Sequence, residues 1–181
     1  ALGQFEVLMR EVKLNNIQGV TRLIDLDDFA KFSALEHFYG ENHGSSGDNL
    51  RYLYDFSTGR FRLALRIEGG VVLKSKSSDP SNFDKRLGPY DHNIIFSLLL
   101  NSKKFNEKRR NYLDFIVRNK DSLLDDVQKG ISELYKLSRK TSKDGLKKIH
   151  ASMKSQENLK LNIASIEKYL AYHHVYISHI L

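Results

Sequence analysis

Apolar residues recur at two different periods along this chain, and the switch between them divides it into parts. Over residues 4–13, Phe5, Leu8, Met9 and Val12 fall three or four apart, which predicts a short amphipathic helix. The stretch "IDLDDFAKFSALEHFYG", residues 24–40, predicts a second helix. Asp25 is a good N-cap, Asp28 sits in the first turn, and Gly40 is a natural stop. Phe29, Phe32, Leu35, Phe38 and Tyr39 then share one broad face.

In "LRYLYDFSTGRFRLALRI", residues 50–67, the period drops to two. Leu50, Tyr52, Tyr54 and Phe56 share one parity, and Phe61, Leu63, Leu65 and Ile67 share another, alternating with Arg60, Arg62 and Arg66. Such alternation across "STG" predicts a β-hairpin with one buried face. "VVLK" at 71–74 extends the sheet by a short strand, and residues 75–91, which hold both prolines, read as a long loop. From residue 92 the helical period returns. It marks "HNIIFSLLLN", "NEKRRNYLDFIVRNK", a helix capped by Ser122 with Leu124, Val127, Ile131 and Leu134 on one face, and a long segment from about Leu146 to Leu170. The tail "VYISHIL", residues 175–181, reads as a strand opening a downstream β segment. The expected fold class is therefore α+β: mostly helical, with one small antiparallel sheet packed on the helix at 25–39 and on later helices.

Composition narrows the picture. At 181 residues with 40% hydrophobic and 28% charged residues, the chain is long enough for one folded domain with a real core. It has no cysteine, which excludes disulfides, thiolate zinc sites and a thiol nucleophile. No apolar run approaches the ~20 residues that span a bilayer, so no membrane span is expected. The N-terminal "ALGQFEVLMREV" lacks the form of a signal peptide and reads like the middle of a domain, so more of a longer chain is expected upstream. Charge is uneven. Residues 1–100 hold 12 Lys and Arg against 13 Asp and Glu, whereas residues 101–181 hold 17 against 9. The basic and acidic residues of the second half are interleaved and no aromatic platform accompanies them. The expectation is lysine-rich solvent faces of amphipathic helices, with no specific nucleic-acid partner.

Several enzyme signatures are absent: a P-loop, a dinucleotide-binding glycine fingerprint, a nucleophile elbow and a helical His-Glu-x-x-His. The adjacent His173 and His174 point to different sides of a helix or strand, which speaks against a shared metal. The polar loop "ENHGSSGDN", residues 41–49, stands apart, because it sets oxygen and nitrogen ligands directly before the hairpin. Antiparallel pairing brings the start of one strand beside the end of its partner. Asp48, Asn49 and Glu68 are thus expected at one end of the hairpin, with Glu41 and His43 on the overhanging loop and Arg51 and Arg66 nearby. A loop that holds a phosphate, a metal or a sugar needs such a set of ligands, whereas a loop that only connects does not. The plainer alternative is local: Asx turns at Asp48 and Asn49, an ion pair for Glu68 and a solvated His43. The hairpin arginines likewise read as a solvated face or as ion pairs with the acidic helix at 25–36.

The order "IDLDDFAKFSALEHFYG", "ENHGSSGDN", "LRYLYDFSTGRFRLAL", "RIEGG" resembles the CotH-like family of atypical kinases, as does the later text "LLLNSKKFNEKRRNYL". The resemblance covers about residues 5–170 and is specific over 24–70 and 94–113. It implies that residues 1–174 correspond to the C-terminal, mostly helical portion of such a domain, with residues 175–181 beyond it. It further implies a phosphotransferase that uses Mg²⁺ and ATP on a protein hydroxyl. The implied roles are catalytic for Glu41, His43 and Asp48, nucleotide-binding for Asn49, Arg51 and Arg66, and metal-binding for Asn49 and Glu68. The chain departs from the family at its acids. Glu68 stands where the family carries aspartates, and no lysine-bearing lobe precedes residue 24. The alternative expectation is accordingly a degenerate, non-catalytic module of a longer surface or secreted protein.

Overall fold

A computed structural model describes residues 1–39, 51–64, 93–138 and 143–178. Among these residues the chain forms seven helices and a two-stranded antiparallel sheet, an α+β protein dominated by helix. No described helix is long and apolar enough to cross a membrane. The expected strand at 71–74 and the loop at 75–91 lie outside the described residues.

Helix α1 (Leu2–Lys13) forms where the period of three to four predicts it and buries Leu8 and Val12. Its end is set by Asn15, which takes the left-handed conformation with φ 55°. Asparagine tolerates that region because its short side chain adds little clash. Asn15 N–H then reaches Val12 O at 3.0 Å and Asn16 N–H reaches Glu11 O at 2.9 Å. This is the paired closure of a Schellman motif. Asn16 at once caps the next helix, α2 (Ile17–Leu23), by accepting the Gly19 N–H at 3.1 Å. Helix α2 is absent from the pattern reading because its seven residues bury only Val20, too short a run to show a period.

Helix α3 (Leu26–Tyr39) begins as predicted, with Asp25 Oδ1 accepting the N–H groups of Asp27 and Asp28 at 3.1 and 3.2 Å. One broad apolar face was expected, yet only Asp27 and Lys31 along the helix are exposed. A helix covered nearly all round is a buried one. The hairpin consists of β1 (Arg51–Asp55) and β2 (Arg60–Ala64), in the register Arg51↔Ala64, Tyr52↔Leu63 and Tyr54↔Phe61. Phe61 and Leu63 are buried while Arg60 and Arg62 are exposed, as the alternation requires. Phe56 does not follow its parity. The strand stops at Asp55, whose carboxylate takes the Ser57 N–H and hydroxyl, and Phe56 lies in the turn, 80% exposed. Gly59 closes that turn at φ 67°, and its N–H bonds Asp55 O at 2.8 Å.

The outer edge of β2 is occupied. Ile24 makes a parallel bridge to Phe61, and Asp25 N–H donates to Phe61 O at 2.8 Å. The Leu63 N–H donates to Asp28 Oδ2 at 2.8 Å. An open edge would invite another chain, and here the start of α3 blocks it.

Helix α4 (Ile94–Leu99) is capped by Asn93, whose side chain accepts from Ile95 and Phe96, and it buries Ile95, Phe96, Leu98 and Leu99. Helix α5 (Lys103–Arg118) follows. The described residues fall into two compact units. The first holds residues 1–36, the hairpin and 93–112. An aromatic cluster fills it: Phe5 lies 5.6 Å from Tyr52 between ring centroids, Phe29 5.6 Å from Phe96, and Phe96 6.3 Å from Phe105. Tilted and edge-on pairs of this kind contribute about 0.5–1.5 kcal/mol each beyond their buried area.

The second unit holds residues 37–39 and 113–178. Helix α6 (Lys120–Ser138) packs along α7 (Lys143–Ser178), and Lys120 Nζ meets Glu167 Oε1 at 2.6 Å. Leu159, Ile163, Ile166 and Tyr169 form the buried stripe of α7. Asn162 on the same helix donates to Phe38 O at 3.1 Å, which ties α7 to the last turn of α3. Two expectations need correction in this unit. Ser122 lies inside α6 and caps nothing, because Asn119 O already accepts the Leu123 N–H at 3.0 Å. Residues 175–178, read as strand, continue α7 through Ser178. Extending an existing helix fixes one residue for each bond gained, so β-branched and aromatic residues at its end do not stop it.

Candidate functional site

The polar loop and hairpin exit proposed from sequence fall mostly outside the described residues: Glu41, His43, Asp48, Asn49, Arg66 and Glu68 all do. Arg51 is described. It opens β1, is exposed, and pairs across the ladder with Ala64. The paired strands thus end together at Arg51 and Ala64, and the turn at Phe56–Gly59 lies at the other end.

Beside this hairpin sits an ordered group of charges built by the start of α3. Its first turn carries Asp27 and Asp28 behind the Asp25 cap, a placement favoured by the positive end of the helix dipole. Each carboxylate is engaged differently. Asp25 caps its helix and lies 3.8 Å from Arg62 Nε. Asp28 holds the β2 edge through the Leu63 N–H and lies 3.5 Å from an Arg62 terminal nitrogen. Asp27 faces α5, where Lys108 Nζ approaches at 2.7 Å and the Tyr112 hydroxyl donates to its other oxygen. The Lys108 hydrogen bond, followed by that of Tyr112, holds the Asp27 carboxyl below its usual value. The same bond to Asp27 pushes the Tyr112 phenol up to about 12. On β1, burial pushes the Tyr52 phenol up to about 12 as well, opposed by a side-chain hydrogen bond from Asn93. These contacts bear out the ion-pair reading of Arg62. What they do chemically is tie β2 and α5 to the first turn of α3.

Sequence reasoning missed a second set of polar residues. Arg109 is fully buried, Glu36 is 2% exposed and His37 5% exposed. The expectation that the basic second half is solvated therefore fails at Arg109. A signal existed: Phe105, Arg109, Leu113 and Ile116 follow the helical spacing, and all four are buried. Glu36 likewise falls on the stripe of Phe29, Phe32 and Ser33. Arginine and glutamate are seldom fully buried unless paired, so charge at a core position was the clue. Among the described residues, no three His, Asp or Glu side chains gather in a position to hold a metal ion.

Compared with protein-family models, curated proteins and solved structures, the chain matches none.

Proposed function

We propose that this chain is part of a phosphotransferase-like domain, related in design to the CotH-like atypical kinases, with its nucleotide site at the open end of the β1–β2 hairpin. The observation that supports the reading is the register of that hairpin. Arg51 pairs with Ala64, so a residue just past the polar loop in sequence and the residue that precedes "LRIEGG" lie side by side.

In this reading Asn49 and Glu68 hold Mg²⁺, for which an amide oxygen and a carboxylate are suitable hard donors. The ion neutralises charge on the transferred phosphoryl group when bound. Arg51 and Arg66 add positive charge at the nucleotide phosphates, where guanidinium makes paired hydrogen bonds. Glu41, His43 or Asp48 accepts the proton of the protein hydroxyl that attacks. Catalysis of this kind rests on positioning and electrostatics, which suits a site carried on a braced hairpin.

The test is a calorimetric titration of the full-length protein with Mg²⁺–ATP, repeated for Asn49→Ala and Glu68→Ala. We expect saturable binding by the wild type and at least a tenfold loss in each variant, with unchanged thermal melting. Absence of wild-type binding would defeat the phosphotransferase reading in favour of the non-catalytic module. Binding that survives both substitutions would move the site away from the hairpin.

A further inference from the structure

We draw no further inference here: the strongest candidate, the buried polar side chains of Glu36 and His37 on α3 and of Arg109 on α5, carries nothing because each is engaged within the chain and nothing among the described residues shows a ligand for them.

Discussion

Asp27 and Asp28 are neighbours in sequence and nearly identical in local setting, yet they do different work. Asp28 turns to a backbone N–H thirty-five positions away, and Asp27 turns to Lys108 and Tyr112 on another helix. The Asp27 contacts give a testable pH dependence. Its carboxyl is held below the usual value near 3.8. A depressed folded-state value means the stabilisation is present above the unfolded value and is lost as pH falls through the folded one. Because the group is largely exposed, we expect Asp27→Asn to cost only about 0.5–1 kcal/mol at pH 6. The difference in urea midpoint between wild type and variant should then start to shrink as pH falls below about 4, where the unfolded chain's carboxyl takes up its proton, and vanish once pH lies below the folded-state value. A difference that persists unchanged at pH 2.5 would contradict the assignment. Tyr112 behaves in the opposite sense. Its value is raised from 10.0 to about 12, so its contribution is complete below pH 10 and is lost as pH rises through 12.

At the scale of elements, the hairpin is held by its own alternation, by its turn and by the start of α3. Leu63→Asp places a charge among buried residues and should cost several kcal/mol. For a chain of this size that is a fall of about 10 °C in Tm, read by circular dichroism. Melting within about 2 °C of wild type would refute the register. Asp28→Ala leaves the Leu63 N–H at the sheet edge without its acceptor, and about 1–3 kcal/mol should be lost. In the turn, Gly59→Ala should cost about 1 kcal/mol, because φ 67° disfavours any Cβ. Crowding is not the cause there, since an added Cβ would meet only Tyr54 Oη at 3.8 Å. Phe56→Ser, by contrast, should leave stability within about 0.5 kcal/mol of wild type, as the ring is 80% exposed.

For the molecule as a whole, the uneven charge of the sequence has a local resolution. Many cations of the second half face carboxylates: Lys103 with Glu107, Arg118 with Asp114, Lys120 with Glu167, and Lys129 with Asp126. Lys108 is taken by Asp27 and Arg109 is buried. Surface pairs of this type contribute about 0–1 kcal/mol each, but together they leave less free positive charge than the count of residues implies. Binding to duplex DNA should therefore be no tighter than about 10⁻⁶ M at physiological salt, indifferent to sequence and abolished by added salt, as fluorescence anisotropy would show. Nanomolar, sequence-selective binding would overturn this.

What the sequence by itself determined were features encoded within one or two turns of the chain. They are the Asp25 cap, the short helix in "HNIIFSLLLN", the hairpin alternation with Phe61 and Leu63 inward, and the helical second half. Each rests on contacts between residues a few positions apart, so composition and spacing suffice to reveal it. Tertiary structure decided the rest. It covered α3 on nearly every side, sent Asp28 to the sheet edge and carried α7 through residues whose local preference is for strand. These outcomes depend on partners 35 or more residues distant or on the cooperativity of a long helix, and no local pattern records either.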